Sequence, residues 1–384
     1  MKFYFNLWLG ENAFSLLPQR EVSLLYKLHF TPPRLLVAEG SRVSKKMLME
    51  FKKSLCGWLD FYTLEIADEL PKITLNHFFT YYLSIIFFLR KINEDDFANA
   101  KELKEKFKKL DETGDKTIKN GYQLLDNVLL MLGLVYSDPL KCFYWLNWKV
   151  NDEKSKIKGL FIFLKINIVK PITMDFIVKG DKRPAYRYGV PLNRTGIFWQ
   201  TYKPPDKGSF RWKEELEIYI QSHAIKRLYE RVELIDPIFM RYFLFYSLRQ
   251  PKMFYEKNFL LIPYQMEHVV IGYFIADITQ GKILIRTFLF LTNEGTPEAR
   301  RLKENTGLMK ADIKYLKIHK LKAFVESDIV KNERIKNIFI EAGCGGLFNL
   351  RFDHPDAYSG KIKLAEEMTK YLEIKDENEL LEPC

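Results

Sequence analysis

The apolar and polar positions of the chain change their period twice. From 45 to about 150 they recur at helical spacing. Leu103, Phe107 and Leu110 fall four and three apart within KELKEKFKKL, with charges on the remaining faces, which predicts an amphipathic helix. DETGD at 111 to 115 ends it. YQLLDNVLLMLGLVY follows, apolar enough to be buried, until SDP at 137 to 139 breaks the chain. The run 73 to 89, ITLNHFFTYYLSIIFFL, is short for a membrane span, holds Asn76 and His77, and is followed by Arg90 and Lys91. It reads as a buried helix, so no membrane contact is expected.

Between 155 and 212 the period shortens. IKGLFIFLKINIV is β-branched and aromatic and predicts a strand. Glycine and proline then accumulate in KGDKRPAYRYGVPLNRTG and YKPPDKGSF, which predicts a long basic and aromatic loop. From 213 the pattern is sharper. Leu216, Ile218 and Ile220 alternate with Glu217, Tyr219 and Gln221, a strand with one buried face. Ser222 stands at a helix N-cap position, and Ala224, Leu228 and Val232 form the apolar stripe of the helix it opens. Asp236-Pro237 starts a second helix, ending near Gln250-Pro251. Three strands follow at 258–264, 267–277 and 282–292, with TQG turning between the last two, and Thr296-Pro297 caps another helix.

Strand, helix, helix and antiparallel meander in that order predict an α+β domain over about 155–325. A mainly helical N-terminal domain, 1–150, precedes it. A helical C-terminal extension, 326–384, follows and ends in the acidic tail DENELLEPC. A length of 384 residues agrees with two or three domains, and a 47% hydrophobic composition excludes wholesale disorder. The net charge of +11 favours polyanionic partners, although the excess is spread along the chain. Cys56, Cys142, Cys344 and Cys384 are far apart with no CxxC pair, as in a reducing compartment. MKFYFNLWLGENAF lacks a small-residue cleavage site, so the expected location is the cytoplasm.

Motifs for phosphate loops, dinucleotide folds, serine hydrolases and zinc proteases are missing, and no cluster has metal-ligand spacing. His268 follows Glu267 directly, which on a strand sends the two to opposite faces. No metal and no cofactor are therefore expected. What remains is SHAIKRLYERV, 222 to 232. His223, Arg227 and Arg231 share one helical face there, beside the apolar stripe. At a helix N-terminus the dipole keeps imidazole neutral, fit to act as a base, while the arginines can grip phosphate. Arg231 can also pair with Glu230 or Asp236, the ordinary role of such a row. Lys182, Arg183, Arg187 and Arg194, interleaved with Tyr186 and Tyr188, are candidate nucleic-acid contacts, against the plainer reading of a loop with packed tyrosines.

A helix opening SHA with arginines four and eight residues on, followed by a second short helix and a meander, resembles the RelE-like toxin ribonucleases. These are grouped with barnase, the EndoU enzymes and tRNA-cutting colicins. The nearest likeness is to small bacterial domains of that group, with a His-Ala-x-x-Arg-x-x-x-Arg helix and a closing hydrophobic-Thr-hydrophobic strand. Here the helix supplies His223, Ala224, Arg227 and Arg231, and ILIRTFLFL supplies Thr287. The resemblance covers 216–292. It implies a metal-independent endoribonuclease of toxin or phage-defence type, with His223 as base, the arginines on phosphate and Thr287 lining the site. The implied partner is RNA, ribosome-bound RNA or tRNA included, with an inhibitor protein as a further candidate. The general acid stays unassigned between Tyr273 and His268. Strict alternation puts Thr287 on the same strand face as Ile283, Ile285 and Leu289, toward the core. The alternatives are a non-catalytic nucleic-acid-binding protein of a mobile element and an assembly protein.

Overall fold

The computed structural model describes residues 1–28, 30–68, 70–150, 162–178, 180–192, 195–207, 211–257, 259–350, 360 and 362–379, the side chains up to 372. The chain mixes α and β structure and divides into two compact units. The first comprises Met1–Tyr136, Phe143–Val169 and Pro191–Ile197; the second comprises Ser137–Cys142, Lys170–Val190 and Phe198–Cys384. Their borders interleave, and Phe198–Cys384 falls in one unit, where the sequence pattern had placed breaks near 150–155 and 325–326.

Helices dominate the first unit. Leu103, Phe107 and Leu110 are buried on Ala100–Glu112, and the 75–91 stretch packs Phe78, Phe79, Tyr82, Ile85, Ile86 and Leu89 into its core. No helix among the described residues is long and apolar enough to cross a membrane. Strands interrupt the helical reading of 45–150: Thr63–Leu64 pairs with Ile73–Thr74, and a longer one lies at its end. Phe143–Val150 is a strand, paired along its whole length with Ile162–Val169, which also pairs in parallel with Arg34–Val37. Its aromatic composition, FYWLNWKV, fits a pleated half-buried surface better than a helix.

The second unit is built on an eight-stranded sheet. Its elements in chain order are β1 (Thr173–Val178), β2 (Asp181–Arg187), β3 (Leu216–Ile220), α1 (Ser222–Arg231), α2 (Pro237–Arg249), β4 (Phe259–Met266), β5 (Val269–Thr279) and β6 (Lys282–Phe290). Across the sheet the order is β4-β5-β6-β3-β2-β1. Short strands Phe254–Glu256 and Thr201–Tyr202 add to β4 and β3. All pairs are antiparallel except β3 with β6, which the excursion through α1 and α2 makes parallel. The β1–β2 hairpin corrects the expected long loop at 181–212. Of the two tyrosines, Tyr186 is half-buried in β2, and Tyr188, just beyond it, is fully buried with its hydroxyl donating to the Leu244 carbonyl at 3.5 Å.

Several local rules hold. Asp236 accepts from the Ile238 amide and Thr296 from the Ala299 amide, each before a proline at the first helical position. Gln280 and Gly281, φ 51° and 67°, make a two-residue hairpin turn. Glu267 and His268, φ 46° and 71°, make another. His268 therefore sits in a turn, rather than on a strand opposite Glu267. α1 begins one residue earlier than a Ser222 cap would have it: Gln221 is the N-cap and Ser222 the first helical residue.

Candidate active site

The geometry of the site follows from where β3 stops. Its last residue, Ile220, lies between Tyr186 of β2 and Ile285 of β6. The chain then turns into α1, while β2 and β6 run on past it. With strands about 4.8 Å apart, losing the middle one leaves a gap about 10 Å wide. That gap is a cavity of about 600 Å³ at the carboxyl ends of the parallel pair β3 and β6, the position where open sheets with helical crossovers hold ligands. Arg183 and Pro184 of β2 form one wall, and Arg286, Thr287 and Leu289 of β6 form the other. Gln221, Ser222 and His223 close the head. Pro184 lacks an N–H and sits where β3 no longer asks for one.

A bulge in β6 sets the floor. Ile275 pairs with Thr287 and the next residue, Ala276, with Ile285, so Arg286 is the extra residue. Strict alternation would bury Thr287 beside Ile283 and Ile285. The bulge moves it to the opposite face with Ile275 and Leu289, half-exposed in the cavity, while Ile283, Ile285 and Phe288 stay buried on the other side. The expected grouping of Thr287 with Ile283 and Ile285 is therefore corrected. The same bulge turns Arg286 toward the cavity, where its Nη2 donates to Asp277 at 3.0 Å and its Nε lies 2.5 Å from the same carboxylate in an ion pair.

His223 is exposed in the first turn of the ten-residue α1 and has no hydrogen-bond partner among the described residues. Its pKa lies below the ordinary 6.5, through burial first and then the Arg227 charge. The ring is thus neutral near pH 7. Just before it in the chain Gln221 is 7% exposed and its side-chain amide Nε2 has no hydrogen-bond partner among the described residues, although its backbone N–H donates to the Ile285 carbonyl at 2.9 Å. A buried, unpartnered donor costs about 1–3 kcal/mol, which a ligand oxygen would recover.

The arginine row divides. Arg227 pairs with Glu230 at 2.6 Å, the partner expected for Arg231. Arg231 instead donates to the Phe288 carbonyl, on the part of β6 that β3 has left. Burial, then the charge of Arg227, lowers its pKa to about 10. Both arginines line a second cavity, which shares Leu289 and Glu294 with the first.

Comparison of the chain with protein-family models, curated proteins and solved structures finds no match.

Of the other anticipated contacts, only Arg183 reaches the first cavity, its charge facing Asp181 at 3.1 Å. Lys182 is exposed beside Asp175, 3.0 Å away. Arg187 is committed to Glu217 at 2.7 Å and lies over the Trp199 ring. Arg194 lies outside the described residues. Neither anticipated general acid lines the cavity. His268 is in its turn, and the buried Tyr273 hydroxyl donates to Glu298 at 3.1 Å. Gln221 and Arg286 were missed in the sequence. Gln221 had one signal, its place at the junction of strand alternation and helix stripe; the bulge at Arg286 had none. No group of three potential metal ligands occurs among the described residues.

Proposed function

We propose that the second unit is an endoribonuclease that uses its own side chains on a single RNA strand, and that its β3-α1-α2-β4-β5-β6 succession is a RelE-like arrangement. The observation that carries the reading is one cavity holding a neutral, unpartnered imidazole beside cationic and amide donors. In the proposed reaction His223 Nε2 or Nδ1 removes the proton of the ribose 2′-hydroxyl. The 2′-oxygen bonds to the adjacent phosphorus, and the bond to the 5′-oxygen breaks. The products are a 2′,3′-cyclic phosphate and a 5′-hydroxyl, the latter taking its proton from solvent. Arg286, braced by Asp277, and Arg183 face the phosphate oxygens, where charge grows. The Gln221 amide at the head of the cavity and the Thr287 hydroxyl on the β6 wall supply neutral donors.

The test is incubation of the protein with labelled RNA in EDTA, with and without ribosomes, beside a His223→Ala variant. Cleavage by the wild type alone, leaving cyclic phosphate ends, supports the reading. Equal cleavage by both removes His223 from the chemistry. A second reading, binding without cleavage, is favoured by one fact: Arg227, nearest the histidine in the row, is already paired with Glu230. Intact RNA in both samples, with RNA retained by both proteins, would select it.

A further inference from the structure

We propose that the second cavity is a separate phosphate subsite, so that the ligand of this unit is one nucleic-acid strand held at two backbone phosphates. The inference rests on reading the first cavity as an RNA site. The second cavity has a volume of about 370 Å³ and carries five cationic side chains, Arg227, Arg231, Lys310, Lys314 and Lys320, against the carboxylates of Glu230 and Glu294. Arg227 and Arg231 come from α1, Lys310 and Lys314 from the helix Lys310–Tyr315, and Lys320 from the turn after it. None of the three lysines falls within 216–292, so they add charge that the stretch carrying the RNase resemblance does not supply.

Carboxylates answer only part of this charge. Arg227 faces Glu230 at 2.6 Å, Lys320 faces Glu233 at 3.0 Å, and Lys310 faces Glu294 at 3.7 Å. Lys314 has no carboxylate partner among the described residues, and Arg231 has only the Phe288 carbonyl. Arg231 is half-buried with its pKa held down by burial and by Arg227, a strain that a bound anion relieves. His319 lines the same wall with Nδ1 3.4 Å from the Ile313 carbonyl; burial leads in lowering its pKa, so it adds a neutral ring at pH 7.

The walls are fixed before any ligand arrives. The Leu321 amide donates to the Arg231 carbonyl at 2.9 Å, and the buried Thr292 hydroxyl donates to the Ile318 carbonyl at 2.6 Å. These bonds tie the turn at 316–321 to the end of α1 and to the end of β6. The two cavities adjoin through Leu289 and Glu294. His223 and Arg227 are one helical turn apart, about 6 Å along the axis, a step suited to neighbouring phosphates of one strand. Glu294, at the shared rim, repels a phosphate between the two positions and so keeps them distinct. A mononucleotide would fill the first cavity only.

The test uses the full chain and an eight-residue 2′-O-methyl RNA, which cannot be cleaved, so cleavage by His223 does not enter the result. Binding is followed by fluorescence anisotropy across a salt series for the wild type and Lys314→Gln. Each phosphate contact on a single strand contributes about 0.7 to the slope of log K against log salt. Lys314→Gln is expected to flatten the slope by about that amount and to leave binding of a one-phosphate dinucleotide unchanged. An unchanged slope, with wild-type binding retained, overturns the second subsite and leaves the first-cavity reading standing. So does equal weakening of the dinucleotide. Failure of the wild type to bind the octamer, with Lys314-dependent binding of a poly-glutamate peptide, overturns it in favour of an acidic protein partner.

Discussion

Arg231 decides whether the row on α1 is built for stability or for charge. Lowering an arginine from 12.5 to about 10 disfavours its charged form by about 3 kcal/mol at neutral pH. Its hydrogen bond to the Phe288 carbonyl returns about 1.5–3 kcal/mol, the range for bonds to charged groups. The two nearly cancel, so the guanidinium contributes little to folding. Replacing it by an apolar side chain of similar reach removes both effects. Arg231→Met is therefore expected to change the free energy of unfolding by no more than about 1 kcal/mol, a shift of about 2–4 °C in Tm. The sign for pH agrees: a folded pKa below the unfolded one destabilises wherever the group is charged, and this loss is relieved as pH rises above about 10. Urea unfolding of both proteins at pH 7 measures the difference, and anisotropy with the uncleavable octamer measures the loss of affinity. A fall of 3 kcal/mol or more, with RNA affinity unchanged, would refute the reasoning, because Arg231 would then be a structural anchor.

Three further outcomes follow from other parts of the structure. The pKa of His223 lies below 6.5 and only the neutral ring can take a proton, so the acid limb of the cleavage rate should fall below pH 6.5; a midpoint at or above 6.5 contradicts the site described. Arg227→Ala removes an ion pair exposed on both sides, so it should cost under about 1 kcal/mol of stability while weakening RNA binding, as melting and anisotropy on one preparation would show. Gly272 faces Phe290 across β5 and β6, and a Cβ there would lie 2.1 Å from the Leu289 carbonyl oxygen and 2.7 Å from the Phe288 ring. Gly272→Ala should therefore destabilise the protein by about 3 kcal/mol, beyond most point substitutions, and wild-type melting would show the sheet tolerates it.

What could be read from the sequence was local. The Asp236 and Thr296 caps, the Gln280-Gly281 turn and the stripe of Ala224, Leu228 and Val232 each depend on neighbours within a few residues. The same logic put His223 on a helical face with two arginines, while Thr287 came forward only through the family resemblance; both line one cavity. What escaped depends on pairing between distant segments. Phe143–Val150 becomes a strand against Ile162–Val169, and the basic 181–187 stretch becomes one against β1 and β3. The Arg286 bulge exists only in the register with β5 and reverses which face Thr287 occupies. Lys310, Lys314 and Lys320 join Arg227 and Arg231 across eighty residues of chain, a grouping that no spacing rule detects.

The most direct test of the central claim is a DNA oligonucleotide carrying a single ribonucleotide, incubated in EDTA with the wild type, with His223→Ala and, if naked strands resist, with ribosomes present. The account predicts one cut, on the 3′ side of the ribonucleotide, leaving a 2′,3′-cyclic phosphate. It also predicts no cut with His223→Ala or when that 2′-hydroxyl is methylated. A cut that survives methylation, or one made equally by His223→Ala, would contradict it.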